Sequence, residues 1–294
     1  MTSAWFWQLP TLLAIVTTIV LYGRGRVALR ARWTDGDRPV RLSRTHMALF
    51  AISQLSLIIA LFSPLQSWAS ELFVFHVSQH LLLAAVTPAL FWFSDPLPIL
   101  KAGLPRSWQQ RLTASLAPGA PLWEMIKKLT PKGVVWILFV SIVWFWYDGA
   151  VHVATLTRPW LHLLELVTVF AAANLYWWHI TVAAPHIHQP LPSFVHMVFA
   201  LGGAWPIKAV GAAAIFTENV FYAYPPALLA RWGVSPFDNQ QWGGILIWGF
   251  GGIAFTTSAA FYLRRWLGAE EAKPARKLDE MLTEENMLMP GVKR

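Results

Sequence analysis

The chain has 294 residues, 56% of them hydrophobic and only 13% charged, with 18 Trp, 18 Phe, no Cys and a formal net charge of +8. Soluble domains carry about 25% charged residues. This balance excludes intrinsic disorder and a disulfide-stapled secreted fold, and the missing cysteine excludes zinc fingers, iron–sulfur clusters and every other thiolate site. What fits is a polytopic membrane protein, since about 20 consecutive apolar residues are enough to cross a bilayer as a helix.

Seven stretches qualify. They run near Ala4–Tyr22, His46–Leu65, Leu72–Phe93, Val134–Val151, Trp160–Val182, Leu191–Phe216 and Trp242–Leu263. All are expected as helices, because an open sheet edge cannot be left in lipid. The fold class is therefore all-α, a seven-helix transmembrane bundle over residues 1–267. Residues 94–133 form a long connection, and 268–294 form a charged tail. The first span lacks a basic leader and a small-residue cleavage site, and is read as a retained helix.

Basic residues orient the bundle. Twenty of the 23 lie after spans 1 and 3 and in the tail, which share one side of a seven-span chain. By the positive-inside rule the N-terminus is outside and the C-terminus cytoplasmic. The high charge then reflects topology and contact with anionic lipid rather than nucleic acid. In the long connection Leu104, Trp108, Leu112 and Leu116 recur every four residues between Arg106 and Arg111. This pattern suits a helix on the membrane surface, or equally a loop helix packed on the bundle. Trp residues near span ends, Trp177 and Trp178 among them, read as an aromatic belt.

Ionisable residues inside spans are costly and mark function by default. His76 and His80 are four apart in span 3, on one helix face, at a spacing that lets two imidazoles share one metal. Asp148 and His152 fall at the outer end of span 4. His162 and Glu165 fall in the first turns of span 5, again on one face. These six residues gather at one depth near the outer surface, with Glu71, Glu218 and Asp238 on the same side. Imidazole and carboxylate donors suit copper, zinc or iron. The carboxylates could instead orient the imidazoles, and Glu165 or Asp148 could pair with Lys208, which lies midway along span 6. His179, His186, His188 and His196 form a second set toward the inner side, with His186 and His188 read as a solvated loop. There is no P-loop, G-x-G-x-x-G or G-x-S-x-G, and no enzyme activity is expected.

The segment His76-Val-Ser-Gln79-His80-Leu-Leu, with Pro88 and Ser94-Asp-Pro96 after it, resembles the signature of the CtaG-type cytochrome c oxidase assembly factors, the seven-span family associated with caa3-type oxidases. Trp160-Leu-His162-Leu-Leu-Glu165 and Asp238-Asn-Gln240-Gln241-Trp-Gly243-Gly244 extend the likeness from about Leu55 to Leu263. Two positions depart from the family pattern. Trp146-Tyr147-Asp148-Gly149 stands where the family has W-H-x-P, and Leu166 stands where it has a second His after the acidic residue. The resemblance implies a multi-pass protein of a bacterial inner membrane that assists haem–copper oxidase assembly, with oxidase subunits as partners and copper as the metal handled. The two departures imply one of three outcomes: weak metal binding, use of Asp148 and His152 as substitute ligands, or loss of metal handling. A structural subunit or scaffold of a respiratory complex, without metal, is the alternative. A small-ion or proton path is a third reading, weakened by how few polar residues lie in the inner half.

Overall fold

The computed structural model describes residues 5–31, 42–181 and 183–272, and among them no strand occurs. Arg32, Arg38, Arg41 and the tail from Lys273 onward, counted above in the charge bias, lie outside the described residues. Two long helices open the chain, α1 (Trp5–Arg30) and α2 (Arg44–Phe62), followed by the single turn α3 (Leu65–Trp68). Ser43 begins α2 by accepting from the His46 N–H, which satisfies one of the free amides of the first turn.

The third span is α4 (Phe73–Leu81), a π turn (Leu82–Val86) and α5 (Thr87–Phe93). Pro88 brings no N–H to the backbone ladder, and the π turn opens it further. Trp177 donates its indole N–H to the Ala84 carbonyl at 2.9 Å, which repairs the opening from a neighbouring helix. Trp177 is therefore a fully buried core residue and Trp178 a nearly buried one, not members of an interfacial belt.

The long connection contains α6 (Leu97–Gly103), α7 (Arg106–Ser115) and α8 (Pro121–Leu129). No residue of α7 is buried and Trp108 is 56% exposed, so α7 is not packed into the bundle.

The fourth span departs from expectation. α9 (Lys132–Trp146) has 15 residues, which reach only about 22 Å, short of a hydrocarbon core about 30 Å thick. A new helix, α10 (Gly149–Thr157), begins where Asp148 accepts from the Ala150 and Val151 amides. α9 reaches span length only together with α8, at a bend of 58°. Among the described residues, six helices are thus long and apolar enough to cross a membrane, or seven with this bent pair.

The remaining elements are α11 (Pro159–Thr181), α12 (Ser193–Phe216), α13 (Pro226–Trp232), α14 (Pro236–Phe250) and α15 (Ile253–Glu271). The last span is interrupted at Gly251–Gly252. Lys208 of α12 donates to the Trp248 carbonyl there at 2.8 Å and lies over the Trp248 ring at 5.1 Å. A cation suits the negative end of a helix. Lys208 thus serves the end of α14 and pairs with neither Glu165 nor Asp148. The main core runs through α4, α9, α11, α12, α14 and α15, with Phe139, Tyr176, Trp177 and Phe255 at its centre.

Candidate metal centre

Three helices build one buried cluster. α4 carries His76 and His80 one turn apart, α10 carries His152, and α11 carries His162 and Glu165 on one face. The helices meet at the end of the bundle where α4 and α11 begin. α4 has no side-chain cap of its own at Leu72, and Asn239 of α14 supplies one by accepting the Phe73 N–H at 3.0 Å. Gly243, one turn further along α14, lets α4 approach: a Cβ there would lie 2.2 Å from Phe73 Cδ1. Gln240 accepts from the Phe221 and Tyr222 amides and so fixes the loop before α13. The Asp238–Gly244 segment singled out in the sequence is therefore a fastening that sets the height of α4 and of that loop.

His76, Gln79, His152 and Glu165 are fully buried, His80 is nearly so, and His162 is 8% exposed. His76 Nε2 lies 3.2 Å from Glu165 Oε1, and His80 Nε2 lies 3.4 Å from the same oxygen. The first contact is a hydrogen bond; the second is not aligned as one. The His76 ring is centred 4.4 Å from that of His80, 4.5 Å from that of His152 and 5.6 Å from that of His162. One donor atom each from His76, His80 and Glu165 fall within 4.8 Å of one another.

Hydrogen-bond accounting separates this cluster from the rest of the interior. Among the described residues, the buried side-chain N and O atoms without a hydrogen-bond partner include His76 Nδ1, both ring nitrogens of His80, His152 Nδ1, His162 Nε2 and Glu165 Oε2. Only Gln79 Oε1 and Asn239 Nδ2 complete that set. A buried polar atom left unpaired costs about 1–3 kcal/mol, so six within five neighbouring side chains are an expensive concentration. Nor does any Lys or Arg meet Glu165; its ion-pair partners among the described residues are the two histidines. A cation held by these donors would engage part of this unused capacity, one nitrogen per ring, and would neutralise the buried carboxylate. First-row divalent ions sit about 2.0–2.1 Å from imidazole nitrogen, which places neighbouring donors in a tetrahedral shell roughly 3.3 Å apart. The separations of 3.2 and 3.4 Å match that spacing.

Of the six residues the sequence proposed as ligands, five come together and Asp148 does not. Its carboxylate is committed to the first amides of α10, and the residue is exposed. A short polar side chain just before a helix start is held by the local free N–H groups. Three tyrosines were not foreseen. Tyr224 Oη lies 3.1 Å from His152 Nε2, Tyr222 meets His152 ring to ring at 5.1 Å, and Tyr147 does the same with His80 at 5.6 Å. No sequence spacing links Tyr224 to His152, 72 residues away. Glu71 closes this end of the bundle by accepting from Arg231 at 2.7 Å and from the Trp232 indole at 2.8 Å.

The model of the family described as cytochrome c oxidase caa3 assembly factor (Caa3_CtaG) matches residues 20–269. No curated protein and no solved structure matches the chain. The family match covers well over half of the sequence, and the chain belongs to that family.

Proposed function

We propose that this member of the oxidase assembly factor family holds a copper ion between His76, His80 and Glu165 and supports delivery of that copper to a subunit of a haem–copper oxidase. The observation that carries the reading is the set of unpaired ring nitrogens around a buried carboxylate that has no Lys or Arg partner among the described residues. Imidazole and carboxylate donors favour Cu(II) most strongly among the divalent first-row ions. His152, held by Tyr224, and His162 stand next to the three donors and can orient them or join them. The basic bias of the opposite end supports an outward-facing cluster. The chain's role is to hold and release an ion, with no bond made or broken in a substrate.

A second reading is favoured by the His76–Glu165 hydrogen bond. Here the cluster is an interhelical polar network in a structural subunit, with no ion. The test is elemental analysis of the intact protein purified in mild detergent, together with the copper content of the oxidase in the same cells. Roughly one copper per chain is expected, lost in His76→Ala/His80→Ala along with oxidase copper, at unchanged protein level. If the double variant leaves both quantities as they were, the copper reading fails and the scaffold reading stands.

A further inference from the structure

The candidate metal centre is walled by aromatic contacts on several sides. Beside α4, Trp232 packs edge-on against Trp68 and Phe75, with ring centres 6.2 and 5.3 Å away. Toward α14, Phe73 is stacked on Tyr222 at 4.0 Å, and both are buried. Next to His152, Tyr224 Oη donates to the Ala69 carbonyl at 3.4 Å. An ion passing there would have to part these contacts.

The start of α11 is different. Pro159 opens the helix and the exposed Arg158 precedes it. His162 lies about 4.5 Å along the helix axis from Pro159, and Glu165 about 9 Å. Burial follows the same order. His76, His152 and Glu165 have no exposed surface, His80 is 2% exposed and His162 8%.

The ring nitrogens sharpen the difference. The histidines at positions 76, 80, 152 and 162 carry eight of them. Five are buried and unpaired: His76 Nδ1, both of His80, His152 Nδ1 and His162 Nε2. Two are hydrogen-bonded, His76 Nε2 to Glu165 and His152 Nε2 to Tyr224. The eighth, His162 Nδ1, has no hydrogen bond and does not belong to the buried atoms, so it is where the ring meets the surface. His162 therefore offers one nitrogen to each side. An apolar ring would fill this place without leaving Nε2 buried and unpaired, a cost of about 1–3 kcal/mol.

We infer that His162 is the exchange ligand of the centre: copper arriving from outside binds first at His162 Nδ1, passes to His76, His80 and Glu165, and leaves by the reverse path. The inference rests on the copper reading above and adds the route. A neutral imidazole ligates through one nitrogen while the other carries the proton. At each stage the ring proton of His162 rests on the nitrogen free of the ion. Passage from donor to donor spares the ion a bare crossing of the apolar shell, where an unpaired charge is costly.

Two measurements on the full-length protein in mild detergent test this. Diethyl pyrocarbonate applied to metal-free protein, read by peptide mass mapping, should modify His162 about tenfold faster than His76, His80 or His152, which react only when the bundle opens locally. His162→Phe keeps a ring in place and removes both nitrogens. It should hold about one copper per chain, as wild type does, while Cu(II) loading and removal by excess EDTA each slow by about tenfold. Equal labelling of the four histidines, or exchange in His162→Phe as fast as in wild type, overturns the inference and leaves the copper reading standing. Loss of copper from His162→Phe makes His162 a resident ligand and overturns it too. A wild-type chain that takes up no copper overturns the copper reading itself, and the inference with it.

Discussion

The two groups of histidines at opposite ends of α11 differ in what their ring nitrogens do. At the far end, His179 Nε2 meets the Thr130 carbonyl at 3.0 Å, His196 Nε2 meets the His179 carbonyl at 3.0 Å, and His188 Nε2 meets Thr130 Oγ1 at 3.0 Å. His196 is also stacked on Tyr262 at 4.0 Å. These rings tie α11, α12 and the start of α9 together, and no ring nitrogen among them is both buried and unpaired. At the near end the histidines surround a carboxylate and leave most of their ring nitrogens unpaired. The same side chain is thus a fastener in one place and a candidate ligand in the other. What distinguishes them is unused hydrogen-bonding capacity, since clustering and burial are common to both.

The largest expected effect breaks the near group at its charge. Glu165→Gln keeps shape but removes the anion, and copper affinity measured by competition with a chelator should fall by at least about 100-fold. If the cluster is only a polar network, the neutral amide costs little and the thermal midpoint stays within a few degrees of wild type. Next, His179→Ala should retain full metal content while destabilising the protein by about 1–3 kcal/mol, because the buried Thr130 carbonyl loses its donor. Thermal unfolding and elemental analysis of one sample read both quantities; metal loss in this variant would erase the distinction between the two groups. Tyr224→Phe removes the hydroxyl that holds His152 and should weaken copper binding by about tenfold, with little change in unfolding midpoint.

The smallest effect concerns pH at the far group. His188 lies in the loop between α11 and α12, where burial first, then Lys132 and Lys127, lower its pKa from the usual 6.5. The folded protein therefore resists protonating it more than the unfolded chain does. Its contribution to stability is complete above about pH 6.5 and declines as the pH falls below that value. A modest drop in unfolding midpoint between pH 7 and pH 5.5 should shrink in His188→Gln. A drop of the same size in that variant would place the pH sensitivity elsewhere.

Periodicity and hydropathy along the sequence determined the helical class, most of the spans and the pairing of His76 with His80 and of His162 with Glu165. Each of these follows from a local rule, the length of an apolar run or the pitch of a helix. The convergence of three spans at one depth was also legible, because alternating span direction sets which residues share a level. Packing decided the rest. Asp148 was drawn to the nearest free amides instead of the cluster, and that cap split the fourth span. Lys208 found a helix end, Trp177 was pulled inward to an open carbonyl, and Tyr224 reached His152 from a loop distant in sequence. Whether a buried polar atom is paired depends on donors and acceptors contributed by other helices, so only the tertiary structure could show which nitrogens remain free to hold an ion.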